Sequence, residues 1–201
     1  MLKVGLTGGI ASGKNFVASL FSEKGWHVLD SDEVSRRVMA QGTTTFSNIV
    51  TAFGSSILTK DRELDRSVLR RLVTGDTEKR ILLESIVHPA VKKQTEEEIK
   101  ALSRKDSNGT VLYHAPLLIE AGVYKFFDLI ILVWCEPEVQ RLRLKERGSP
   151  PYEEGLKLME AQMTHDARLN YAHHVINNNR TREDTHKEVE RVYSLIKMLR
   201  R

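Results

Sequence analysis

Short apolar runs and helix-period stretches alternate along the chain. Residues 2–7, Leu-Lys-Val-Gly-Leu-Thr, read as a buried strand. Apolar residues then recur at Phe16, Val17, Leu20 and Phe21, which is helical spacing. Further strands are predicted at 26–30, 110–114 and 174–177. The run 129–134 is apolar throughout, as a strand covered on both faces should be. A closing amphipathic helix is predicted over 182–201, with Val189, Val192, Ile196 and Leu199 on its buried side.

The stretch from 31 to 109 carries no strand signal and is too long for a simple crossover. It reads as helices over 32–40, 44–53, 65–74 and 78–104, the last kinked or divided at Pro89. Ser107-Asn108-Gly109 supplies the turn back into the sheet. Strand and helix in alternation predict an α/β fold: a five-stranded parallel sheet flanked by helices, with an all-helical insertion.

Composition narrows the class without choosing a ligand. A chain of 201 residues, 40% hydrophobic and 29% charged, suits one good core with a small subdomain. A net charge of +4 fits polyanionic ligands, nucleotides as well as nucleic acid. The basic residues are interleaved with acids and lack aromatic stacking platforms, so nucleic-acid binding is not expected. Cys135 is the only cysteine, which rules out a cysteine zinc site and suggests a reduced core thiol in a cytoplasmic protein. Neither a leader peptide nor a membrane span is expected.

The chemistry concentrates at Gly8-Gly9-Ile10-Ala11-Ser12-Gly13-Lys14-Asn15, which follows G-x-x-x-x-G-K-[ST] except at its last position. Between a strand and a helix, such a loop turns its backbone N–H groups onto an anion, and Lys14 reaches the β- and γ-phosphates. Asn15 replaces the hydroxyl that normally holds magnesium. Its carbonyl oxygen can coordinate a hard cation but is neutral.

Asp30-Ser31-Asp32 ends the second strand, where ligands of open parallel sheets bind. A carboxylate here could accept a hydroxyl proton, support magnesium, or cap the following helix. Arg141, Arg143, Lys145 and Arg147 lie on a helix ahead of the loop Gly148–Tyr152. They read as an arginine-rich lid over a triphosphate or as a solvated charged face. His88, before Pro89, could contact a phosphate or cap carbonyls. His173-His174 has no third ligand at usable spacing and reads as strand edge.

Together these segments resemble the dephospho-CoA kinase family from end to end. The resemblance is carried by residues 5–14, by Asp30-Ser31-Asp32 with Arg36, and by Glu84-Ser85-Ile86-Val87-His88-Pro89. Pro116-Leu117-Leu118-Ile119-Glu120, Gln140-Arg141-Leu142-Arg143, Gln162 and Val175-Ile176-Asn177-Asn178 complete it. It implies a P-loop kinase fold in which 1–30, 106–140 and 160–201 form the nucleotide-binding core, 31–105 an acceptor domain and 141–159 a short helical lid.

The implied reaction is transfer of the ATP γ-phosphate, with Mg2+, to the 3′-hydroxyl of dephospho-CoA. The resemblance places Gly9, Ile10, Ala11, Ser12, Gly13, Lys14, Asn15 and Phe16 on ATP. It makes Lys14, Asp32 and Arg141 catalytic, puts Arg143 and Arg147 on the nucleotide, and assigns Asp32, Arg36 and His88 to the acceptor. Asn15, Leu158, His173 and His114 depart from the family pattern, and Asn15 and Asp32 are the candidate magnesium ligands. A monomer or weak homo-oligomer is expected. The competing readings are another small-molecule kinase of the P-loop class and a nucleotide-binding protein with weakened catalysis.

Overall fold

The computed structural model describes residues 1–148 and 150–199. Strands β1 (Leu2–Gly8), β2 (His27–Asp30), β3 (Thr110–His114), β4 (Leu129–Trp134) and β5 (His174–Asn177) form one sheet in the order β2-β3-β1-β4-β5. β1 lies at the centre, parallel to both β3 and β4, and β4 is parallel to β5. The five strands therefore make the parallel, helix-flanked sheet that the apolar runs predict. β3 and most of β4 are buried because helices and loops cover both sheet faces.

The chain divides into two compact units, Met1–Leu29 with Asp106–Arg201, and Asp30–Lys105. In the first, α1 (Lys14–Glu23) and α9 (Arg182–Leu199) cover one sheet face. Val17, Leu20, Phe21, Val189, Val192 and Ile196 pack there with Val4, Leu6, Ile131 and Val133. Leu199, expected on that buried side, is 71% exposed, because it closes the last turn of α9 beyond the core. Residues 200 and 201 of the predicted helix lie outside the described residues. On the other face, Tyr113, Leu118, Phe127 and Ile130 form a smaller cluster.

Helices α6 (Pro137–Arg147) and α7 (Tyr152–Ala161) follow β4, and α8 (His165–Leu169) precedes β5. Gly148 ends α6 in the left-handed conformation at φ +67°, which favours glycine. A Cβ on Gly155 would lie 3.0 Å from Leu144, so the missing side chain lets α7 approach α6 closely.

The second unit holds α2 (Ser31–Val38), α3 (Thr44–Phe53), α4 (Arg66–Thr74) and α5 (Thr77–Lys105). Ile49, Ile57, Leu69 and Val87 form its core. Arg37 forks onto both oxygens of Glu98 at 2.7 and 2.9 Å and ties α2 to α5. Pro89, expected to kink or divide the last helix, does not divide α5. One N–H is missing at Pro89, yet Ile86, Val87 and Val91 on either side of it pack into the same core, which fixes the helix across the gap.

Candidate active site

β1 ends at Gly8, and the chain curls through Gly9–Gly13 before α1 starts at Lys14. Ala11 (φ +56°) and Gly13 (φ +91°) are both left-handed. Alternating hands of this kind turn successive N–H groups inward and make an anion nest. At Gly13 a side chain is excluded twice over, by φ and by the Asn178 amide, which would lie 2.0 Å from its Cβ. Lys14 is only 9% exposed, and its Nζ donates to the carbonyls of Gly8 (2.8 Å) and Gly9 (2.9 Å). The ammonium therefore rests over the first two residues of the loop.

Three side-chain amides hold the loop from behind. Ile10 is gripped on both sides: its N–H donates to Gln162 Oε1 at 2.8 Å, and its carbonyl accepts from Gln140 Nε2 at 3.0 Å. Asn178 Nδ2 donates to the Ser12 carbonyl at 2.7 Å, and its Oδ1 accepts from Thr185 Oγ1 at 2.6 Å. Arg143 Nη2 donates to the Asn178 carbonyl at 2.8 Å, while its buried Nη1 has no hydrogen-bond partner and lies near Gly13. Gln162 and Asn178 were noted in the sequence without a role. Gln140, at the start of the expected lid, was not assigned to the loop at all.

Sequence reasoning missed Arg168 entirely. This α8 residue is 3% exposed and pairs through Nη2 with Glu120 Oε1 at 2.6 Å. The same carboxylate oxygen accepts the Met163 N–H at 3.3 Å. A Cβ on Gly9 would sit 3.4 Å from Arg168 Nη1, so the guanidinium lies against the loop backbone.

The other expected residues fall as follows. Asn15 and Phe16 occupy the first turn of α1, Asn15 exposed, and Phe16 edge-on to His186 with Arg182 over its ring. Arg141 is exposed and pairs with Glu138 on its own helix. Arg147 is exposed in the last turn of α6. Leu158 projects from α7, 45% exposed. His114 is buried at the end of β3, in register with Leu6.

His173 accepts the Ile130 N–H on Nδ1 at 3.0 Å, a job that a carboxylate at this position could also do. Burial holds the neighbouring His174 imidazole below its usual range, with the Arg191 charge acting the same way. Burial likewise pushes the Cys135 thiol up, against the opposing charges of Arg143 and Lys14.

In the second unit, the capping question at the end of β2 resolves in favour of Asp30. Its Oδ1 accepts the Asp32 N–H at 2.8 Å, and α2 starts at Ser31. Among the described residues the exposed Asp32 carboxylate makes no hydrogen bond or ion pair. Arg36 lies beside it, its Nε donating to the Asp32 carbonyl at 3.1 Å. His88 is exposed on α5. The described residues contain no cluster of three acidic, His or Cys ligands, and no helix long and apolar enough to cross a membrane.

The sequence profile of the dephospho-CoA kinase family matches residues 2–184. A dephospho-CoA kinase of Geobacillus kaustophilus is 39% identical over 188 residues, 94% of this chain and 93% of the relative. One of Geobacter metallireducens is 39% identical over 189 residues, 94% of each. A Thermus thermophilus protein of known crystal structure superposes with a TM-score of 0.80 at 31% identity over 96% of both chains. With a nested phosphate loop at the centre of a parallel sheet, and a match that runs along nearly the whole sequence, the chain belongs to the dephospho-CoA kinase family.

Proposed function

We propose that this enzyme transfers the terminal phosphoryl group of ATP to the ribose 3′-hydroxyl of dephospho-CoA, releasing CoA and ADP in the last step of coenzyme A synthesis. The observation that carries the nucleotide half is the nest at Ala11–Gly13 with Lys14 folded over Gly8 and Gly9. The acceptor half rests on family membership.

The residues divide the work. Loop amides from Gly9 to Phe16 and the Lys14 ammonium hold the ATP phosphates. Asp32 takes the proton of the 3′-hydroxyl as the new P–O bond forms and the bond to the β-phosphate oxygen breaks, that oxygen leaving with ADP. Asp30 already supplies the helix cap, which leaves the Asp32 carboxylate available for this step. Arg36, beside Asp32, and His88 bind the acceptor. Arg141 and Arg147 close over the transferring group, and Arg143 backs the nucleotide through Asn178. For Arg141, closure means giving up an exposed pair with Glu138, which contributes little.

Magnesium, when bound, neutralises charge on the phosphates. The residues present suit an ion that arrives with ATP and keeps water and phosphate ligands, since no cage of three ligands exists among the described residues. Asn15 Oδ1 and the Asp32 carboxylate are the protein oxygens proposed for it.

The test is direct: Mg-ATP is incubated with dephospho-CoA, adenosine or nucleoside monophosphates, and ADP and CoA are followed. ADP formed with dephospho-CoA alone, and kcat lowered roughly 10²–10⁴-fold by Asp32→Asn, is the expected result. Equal use of another acceptor, or no turnover with any, would overturn the proposal.

A further inference from the structure

We propose that Arg168 is a fixed cation for the terminal phosphate of the nucleotide, held in place by Glu120; this rests on the kinase reading above. A guanidinium has five N–H donors. The only hydrogen bond of this one is Nη2 to Glu120 Oε1, among the described residues, and its buried Nε has no partner. A buried donor left unsatisfied is costly, and a 3% exposed arginine with an unpartnered Nε calls for a ligand.

Position identifies that ligand. Nη1 lies against Gly9, at the end of the loop where Lys14 Nζ rests on the Gly8 and Gly9 carbonyls. A lysine of this motif reaches the β- and γ-phosphates, so the Gly9 end is the terminal-phosphate end. The half-buried Arg143 stands at the opposite end, near Gly13, with its own unpaired Nη1. Two arginines thus bracket the loop, and the one at the reacting end is locked rather than mobile.

Glu120 is a positioning residue. It fixes the guanidinium through Nη2 and is itself oriented by the Met163 N–H. Because the cation is already dehydrated and oriented, it needs little reorganisation as charge builds on the transferring group. Arg141, by contrast, is exposed and must leave Glu138 to take part.

Calorimetric titration of ATP and ADP into wild type, Arg168→Gln and Arg168→Lys, alongside turnover of dephospho-CoA, tests the idea. ATP affinity is expected to fall about tenfold in Arg168→Gln while ADP affinity stays within about twofold, because one charge-assisted contact to the terminal phosphate is lost. The kcat is expected to fall roughly 10²–10³-fold. Arg168→Lys keeps the charge but not the fork, and serves if the Gln variant is unstable; it should show the same selective loss to a smaller degree. Equal weakening of ATP and ADP, or no change in either, would falsify the proposal. If wild type fails to turn over dephospho-CoA, the acceptor assignment fails, while the two titrations still decide the role of Arg168.

Discussion

His173 and Ile130 exchange two hydrogen bonds at the edge of the sheet. The His173 N–H donates to the Ile130 carbonyl at 2.9 Å, and His173 Nδ1 accepts the Ile130 N–H at 3.0 Å. The imidazole is thus held with Nδ1 as acceptor, which places its proton on Nε2 in the neutral ring. His173→Ala should lower stability by about 1–3 kcal/mol, because the N–H of the buried Ile130 loses its partner. His173→Asp keeps an acceptor and should be close to neutral. Urea unfolding of both variants makes the comparison; an Asp variant as unstable as the Ala one would mean that ring packing, not acceptance, matters here.

Asn178 links the loop to α9 and should behave as a joint between stability and nucleotide affinity. Replacing it by Ala leaves the Ser12 carbonyl and the Thr185 hydroxyl without that partner, a loss of about 2 kcal/mol. The loop also loses the amide packed on Gly13, and ATP affinity should drop roughly tenfold. Asn178→Asp retains the acceptor for Thr185 but sets a negative charge under the phosphate site. It also turns a buried oxygen onto the Ser12 carbonyl that Nδ2 served, so it should lose more affinity and more stability than Ala. Paired denaturation and ATP titration make the comparison, and an Asp variant that outperforms the Ala one in either would refute this role for the amide.

Acid stability of the helical unit has a local reporter in Asp65, the N-cap of α4. Its Oδ1 accepts from the Ser67 hydroxyl at 2.6 Å and from the N–H groups of Val68 and Ser67, both at 3.0 Å. These bonds, the Ser67 hydroxyl foremost, hold the carboxyl below its ordinary value of 3.8. A depressed folded value means that the stabilisation is complete above 3.8 and is lost as pH falls through the folded value. Asp65→Asn keeps a cap acceptor but cannot titrate. Its melting temperature should depend less on pH than that of wild type below about pH 4. Parallel acid-side slopes for the two proteins would show that Asp65 does not contribute.

Much of this was legible in the chain. The strands over 110–114, 129–134 and 174–177 coincide with β3, β4 and β5, because unbroken or edge apolar runs between turn residues leave few alternatives. Pattern failed where tertiary context decides. The helical period continues to Leu199, but the core beneath it ends earlier. Pro89 signals a break, but packing on both sides of it keeps α5 in one piece. Asp32 is the cap that position suggests, but α2 starts at Ser31, one residue earlier than the pattern implies, and Asp30 takes that role.

The supports of the phosphate loop were hidden for a different reason. Gln140, Gln162 and Asn178 reach it from 130 to 166 residues away in sequence. Arg168 stands two residues after Asp166 and reads as a surface residue until its burial and its pair with Glu120 are seen.

Asn15 marks the remaining departure, and its consequence is measurable. Its side chain is exposed at the start of α1, where the motif would place a hydroxyl. An amide oxygen is a weaker and bulkier partner for a small octahedral ion, yet magnesium takes most of its ligands from phosphates and water. The loss should therefore appear as a higher magnesium requirement rather than as a changed reaction. Asn15→Ser should lower the magnesium concentration for half-maximal turnover by roughly three- to tenfold, about 1 kcal/mol of binding. The gain should vanish at saturating magnesium if the ion's only deficit is affinity, and persist as a higher kcat if its placement also limits the chemistry. Initial rates across a magnesium titration at fixed ATP distinguish these cases, and superimposable curves for the two proteins would remove Asn15 from the metal site.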